Sequence, residues 1–160
     1  MLTGLSHVAL LVSSAESSAA FLNSQNIPTG TPESFESEGT KEVYVGSYDQ
    51  QSGLLLLVEA ISEGPYRKTL AKRGPCLHHI ALDVLDIEEF IKAAQVLGCK
   101  LHPVSTKTME YKTAWFYLEG VPTLIEAHQK KSLSSKPVQV SKIVLPIREE
   151  QMQLFAGIGL

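Results

Sequence analysis

The stretch "CLHHIALDV" (residues 76–84) sets two histidines side by side at the head of an apolar run. Such a run reads as a β-strand, and side chains along a strand alternate between its two faces. His78 then shares a face with Ile80, Leu82 and Val84, whereas His79 faces the other way with Ala81 and Asp83. A second stretch chooses between them. "LSHVALLV" (5–12) aligns with "LHHIALDV" (77–84), pairing His7 with His79, Val8 with Ile80, Ala9 with Ala81 and Val12 with Val84. His78 falls opposite Ser6, so His79 is the repeated residue.

Self-similarity of this kind signals one supersecondary unit used twice. Each opening strand is followed by a helix-like segment. "DIEEFIKAAQVLG" (86–98) carries Ile87, Phe90, Ile91, Ala94 and Leu97 at helical spacing, with an acidic first turn and Gly98 as a stop. "SAESSAAFLNSQN" (14–26) keeps Ala15, Ala19 and Leu22 on one face. Each half then ends in a similar strand, "LLLLVEA" (54–60) and "VPTLIEA" (121–127), which aligns Glu59 with Glu126. A carboxylate within an aliphatic strand is costly to bury unless it is paired or holds a cation. The alternation predicts that Val8, Leu10, Val12, Ile80, Leu82 and Val84 pack under helices. It also predicts that His7 and His79 line the opposite, concave face, bringing two histidines and two glutamates together.

The 160 residues suffice for one domain or two half-domains, and 44% hydrophobic with 19% charged residues indicates a globular chain. A net charge of −3, without a concentrated basic patch, argues against nucleic-acid binding. No apolar run is long enough to span a membrane, and the N-terminal segment lacks the basic start of a signal peptide. Cys76 and Cys99 read as reduced thiols rather than a disulfide framework, as expected of a cytoplasmic protein. The basic "YRKTLAKRG" (66–74) suits either a solvated helix face or attraction of a phosphate-bearing ligand through Arg67, Lys68, Lys72 or Arg73. His128, two residues past Glu126, reads as a rim histidine, and His102 before Pro103 as a strand-end residue.

With its histidine–helix–glutamate order repeated, the chain resembles the vicinal oxygen chelate superfamily, which includes glyoxalase I, methylmalonyl-CoA epimerase and the extradiol dioxygenases. "TLAKRGPCLHHIALDVLDIEEF" resembles the segment through the second metal histidine of the epimerases. "EGTKEVYVG" resembles the stretch that carries their proposed catalytic glutamate, here Glu42. "STKTMEYKTAWFYLEGVPTLIEA" departs from them, keeping an aromatic strand but only Gly120 where a glycine-rich run is usual.

The resemblance implies an α+β fold of paired βαβββ modules forming a metal-binding cup. Module one would span about 1–62 and module two about 75–130, within a domain of 1–130 followed by a linker and C-terminal extension, 131–160. It implies His7, Glu59, His79 and Glu126 as ligands of a divalent ion, and such mixed N/O ligation suits Zn, Ni, Co or Mn. The implied activity is that of a metal-dependent isomerase or lyase. Its first form is epimerase-like proton transfer beside a thioester carbonyl through a metal-stabilised enolate, with Glu42 as base and Glu126 as its counterpart. A lactoylglutathione lyase of the glyoxalase I type, favoured by Glu59, and a non-catalytic resistance-type binding protein are the alternatives. The implied partners are an acyl-CoA or glutathione thioester and a second copy in a homodimer.

Past "QKKSLSSKP", the stretch "VSKIVLPI" (140–147) resembles a third opening strand with Lys142 aligned with His7 and His79. A strand there and a helix from "REEQMQLF" are expected, docking on a sheet edge of the same chain or of a partner, which predicts a dimer through the tail.

Overall fold

In the first half of the chain, alternation and helix spacing combine as expected of a βαβββ unit. The computed structural model describes residues 3–46 and 54–133. The expected strand at 140–147 and the helix after it lie outside these residues. The described residues divide into two compact units, one within His7–His78 and the other comprising 3–6 and 79–133.

The unit from His7 to His78 contains most of β1 (Thr3–Val12), then α1 (Ala15–Ser24), β2 (Glu33–Phe35), β3 (Thr40–Val45), β4 (Leu54–Ala60) and α2 (Pro65–Arg73). Its strands lie in the order β2-β3-β4-β1, with β1 parallel to β4 and the other pairs antiparallel. Ser14 caps α1, its hydroxyl accepting from the Ser17 N–H. Leu10 and Val12 pack with Ala15, Ala19, Leu22, Val43 and Leu57 beneath that helix. The opposite face of the same strands carries Ala9, Leu11, Leu56 and Val58, covered by Tyr66 and Leu70 of α2. At Gly39 the turn before β3 requires a positive φ of 69°, and a Cβ there would collide with Ser62.

The second unit repeats the plan with β5 (Cys76–Val84), whose last six residues belong to it, α3 (Ile87–Val96), β6 (Lys100–Leu101), β7 (Thr113–Tyr117) and β8 (Leu124–Gln129). A short helix α4 (Ser105–Thr108) and a 3₁₀ turn (Met109–Tyr111) lead into β7. The order is β5-β8-β7-β6, again with a parallel β5–β8 pair. Asp86 caps α3 by accepting from the Glu88 and Glu89 N–H groups, and Gly98 ends the turn beyond it at φ 86°. Ile87, Phe90 and Ala94 enter a core with Val84, Phe116 and Ala127, as the helical spacing predicts. Leu97 departs from it and is half exposed, because it lies past the last helical turn.

Register corrects one alignment. Within the first unit His7 pairs with Leu54, and within the second His79 pairs with Leu124. Leu54 therefore corresponds to Leu124, and the counterpart of Glu126 is Leu56 rather than Glu59. Matching Glu59 to Glu126 is three residues out of register, and an odd offset puts a side chain on the other face. Glu59 lies opposite Val12 on the helix-bearing face, where its Oε2 accepts from the Ala15 N–H at 2.9 Å. Its counterpart Gln129 does the same in the second unit, Oε1 accepting from the Ile87 N–H at 3.2 Å. These side chains tie the closing strand of each unit to its helix N-terminus, where a backbone donor lacks a helical partner.

Glu59→Ala should thus cost about 1–2 kcal/mol of stability, as helix-start acceptors do. Glu59→Gln, which copies Gln129, should leave denaturant midpoint and metal content close to wild type. Loss of bound metal in Glu59→Gln would return this residue to the ligand set.

Candidate metal centre

Alternation along β5, β7 and β8 puts His79, Glu126, His128, Thr113 and Trp115 on one face of the second unit. Register confirms the rows: Ala81 opposite Glu126 opposite Trp115, and Asp83 opposite His128 opposite Thr113. His79 and Glu126 are buried, and the His79 ring stands edge-on to Trp115 at 4.9 Å between centroids. Glu126 Oε2 lies 3.6 Å from His79 Nε2 and 3.1 Å from His128 Nε2.

These two distances mean different things. At 3.1 Å His128 Nε2 is within hydrogen-bonding reach of the carboxylate. The 3.6 Å separation is too long for a hydrogen bond. Two donor atoms held by a tetrahedral ion at zinc-like bond lengths stand about 3.4 Å apart, so the spacing suits ligands of a shared cation. An imidazole and a carboxylate also suit the borderline divalent metals. The donor set fits the ion that the superfamily implies.

His128 Nδ1 lies 3.2 Å from Thr113 Oγ1, completing a chain from threonine through imidazole to carboxylate. The sequence reading placed His128 on the right face as a rim group and missed this bond; the spacing of two from Glu126 was the available signal. In the same row Asp83 Oδ1 is buried without a hydrogen-bond partner among the described residues, with Lys130 Nζ 4.0 Å away.

In the first unit His7 is buried on the face it shares with Ala9 and Leu11, its ring edge-on to Tyr44 at 6.2 Å. Glu42 and Tyr44 lie on that face too, because Glu42 pairs with Val58 and Tyr44 with Leu56. The half-buried Glu42 accepts from the Thr40 hydroxyl at 2.9 Å, and Thr40 is fully buried. Glu59 is directed to the other face, so this unit's His7 is not joined by a carboxylate from β4.

His78 turns to a different environment from His79. It stacks on Tyr66 with centroids 4.6 Å apart and is 6% exposed. Burial, with the Arg73 cation second, pushes its pKa down to about 4. The basic segment forms α2, where Arg67 donates to the Ala60 carbonyl at 2.6 Å. Burial pushes the Cys99 thiol pKa up, and Cys76 is half-buried; both are free. His102 follows β6, with Nδ1 accepting from the Val104 N–H. Tyr111 is exposed. Among the described residues no helix is long and apolar enough to cross a membrane.

A family model described as the Glyoxalase/Bleomycin resistance protein/Dioxygenase superfamily matches residues 6–117, and the chain belongs to this superfamily. Among solved structures, a hypothetical protein from Bacillus halodurans C-125 is 24% identical with a TM-score of 0.64, the match covering 85% of this chain and all of that one. A methylmalonyl-CoA epimerase from Streptomyces coelicolor, in complex with 2-nitronate-propionyl-CoA, is 19% identical with a TM-score of 0.57, covering 80% and 99%. The Mycobacterium tuberculosis epimerase is 18% identical with a TM-score of 0.58, covering 79% and 87%. At these identities the likeness establishes the fold. No curated protein matches the sequence.

The His78 environment sets a pH dependence. The unfolded chain takes up a proton on this residue near pH 6.5, the folded chain only near pH 4. Between those values the unfolded state binds more protons, so acidification favours unfolding. The contribution is fully present above pH 6.5 and lost as pH falls towards 4, amounting to about 3 kcal/mol at most. Urea unfolding of wild type and His78→Phe at pH 7 and pH 4.5 should show a smaller acid loss in the variant. Equal losses would mean that His78 titrates normally in the fold.

Proposed function

We propose that the protein is a metal-dependent isomerase that moves a proton at the carbon beside a thioester carbonyl, with an acyl-CoA as substrate. His7, His79 and Glu126 would hold the divalent ion. The observation that carries this reading is the repeated histidine, placed at the same register position of each unit, together with the 3.6 Å spacing of His79 Nε2 and Glu126 Oε2. Three protein ligands leave positions open for substrate oxygens, as catalytic sites require. When bound, the ion would supply Lewis-acid polarisation of a substrate carbonyl. Glu42 is the base that takes the proton from the adjacent carbon, with the Thr40 hydroxyl orienting one of its oxygens. Trp115, against His79, limits access of water beside the ligand. Return of a proton to the opposite side of the carbon needs a second group that carries one, and Glu126 would be that group once its carboxylate has left the ion and taken up a proton. The epimerase fold of two neighbours supports this choice of chemistry.

The glyoxalase I-type alternative rested on Glu59 as a fourth ligand, and Leu56 stands at the place that ligand would need. Leu56 instead favours a second reading. Two histidines and one carboxylate are also the ligand set of non-haem Fe(II) oxygenases, and dioxygenases share this superfamily.

Metal analysis of the purified protein, then proton exchange into a panel of acyl-CoA thioesters in deuterated buffer, tests the proposal. A Zn, Ni, Co or Mn ion with exchange into one thioester is expected. Glu42→Gln should retain the metal and slow exchange by a factor on the order of 10²–10⁴. Fe(II) with oxygen uptake on a catechol would replace the isomerase reading with the oxygenase one. Absence of bound metal would remove both.

A further inference from the structure

We infer that His128, held by Thr113, is a positioning residue that fixes the Glu126 carboxylate for a metal ion. The inference rests on the reading of Glu126 as a ligand and adds what sets the strength of that site.

A carboxylate oxygen only accepts, so the 3.1 Å contact to Glu126 Oε2 requires the hydrogen on His128 Nε2. In the neutral ring Nδ1 is then an acceptor, and the Thr113 hydroxyl at 3.2 Å supplies its proton. Both bonds follow from register: Thr113 stands opposite His128, while Glu126 lies two residues along β8 on the same face. The Thr113 backbone is itself held, its carbonyl accepting from the Thr108 hydroxyl at 2.8 Å. A rigid strand pair therefore fixes the imidazole, and the imidazole fixes one lone pair of Oε2.

That bond has a consequence for a ligand carboxylate. It restricts rotation about the last side-chain torsion, which in a glutamate is broad and otherwise costs entropy to fix on binding. On its other side Oε2 stands 3.6 Å from His79 Nε2, a spacing that suits two ligands of one ion. Partners one step removed from a metal commonly set its affinity by 10–100-fold. The counterpart of His128 in the first unit is Val58, and that of Glu126 is Leu56. The histidine thus accompanies the carboxylate and is absent where the carboxylate is absent.

Co²⁺ titration of the full-length protein against a competing chelator, read by its visible absorption, tests the inference. His128→Phe keeps the aromatic bulk and removes the donor, and should bind Co²⁺ about 10–100-fold more weakly. His128→Gln, whose amide N–H reaches a similar point, should recover most of the affinity with the absorption bands unmoved. Thr113→Val should fall between them. Wild-type affinity in His128→Phe overturns the positioning role, as does a His128→Gln variant as weak as His128→Phe. Shifted bands in His128→Gln would make His128 a ligand and overturn it likewise. If wild type binds no Co²⁺ the metal reading itself falls and takes this inference with it, whereas binding unaffected by His128→Phe removes the inference alone. Thermal unfolding without metal separates both from a folding defect: His128→Phe and His128→Gln should melt alike.

Discussion

The parallel pairing of opening and closing strand in each unit governs which residues can meet. His7 against Leu54 and His79 against Leu124 fix a parity, and from it follow both the helix-bearing face and the face that carries the histidines. Because side chains alternate with a period of two, no single residue can change sides without moving the whole strand. Burial of Leu10, Val12 and Leu57 under α1, and of Val84 and Ala127 under α3, opposes any such shift. A fully buried Leu or Val such as Leu57 or Val84 contributes about 1.5–3 kcal/mol, and a slip would expose several apolar side chains together. The position of His79 relative to Glu126 is therefore a by-product of core packing on the other side of the sheet.

The same parity explains what could be read in the sequence and what could not. The opening strands were legible because their aliphatic alternation is long and the histidine recurs in phase. The helix over Ile87–Val96 was legible through its cap at Asp86 and its apolar spacing. The closing strands misled. "LLLLVEA" is aliphatic on both faces, so hydrophobicity carries no phase information, and the glutamate was the most conspicuous mark available. Aligning glutamate with glutamate joined two residues with different duties: Glu59 braces a helix, whereas Glu126 faces a histidine. The true counterpart of Glu59 is Gln129, a pair hidden by the change from acid to amide. The Thr113–His128–Glu126 chain was equally hidden, because its first bond depends on which residues of β7 and β8 stand opposite one another.

Once register is known, departures from the repeat become informative. Helix-facing equivalents keep their character: Leu57 with Ala127, Glu59 with Gln129, Val12 with Val84. On the other face the equivalents diverge: Leu11 with Asp83, Leu56 with Glu126, Val58 with His128, Glu42 with Thr113. In the first unit Leu11, Leu56 and Val58 lie in an apolar cluster that α2 covers. In the second the matching places hold three polar groups that cost free energy to bury.

This divergence is a physical argument for where chemistry resides. A fold of this size is stable by a narrow margin, so a row made of the buried Glu126 with the half-buried Asp83 and His128 persists only if its members satisfy one another or hold something. The helix side of each unit allows little freedom, since its packing sets the register. The histidine side is released from that duty once register is fixed, and its residues can differ between two copies of one plan. Only the histidines themselves are kept there in both copies, at the same register position, together with the small Ala9 and Ala81 beside them. A buried imidazole is no better than an aliphatic side chain at filling a core, and it brings two nitrogens that need partners. Keeping it at the same register position in both units, on a face where the other equivalents differ, is a choice that core packing alone does not explain.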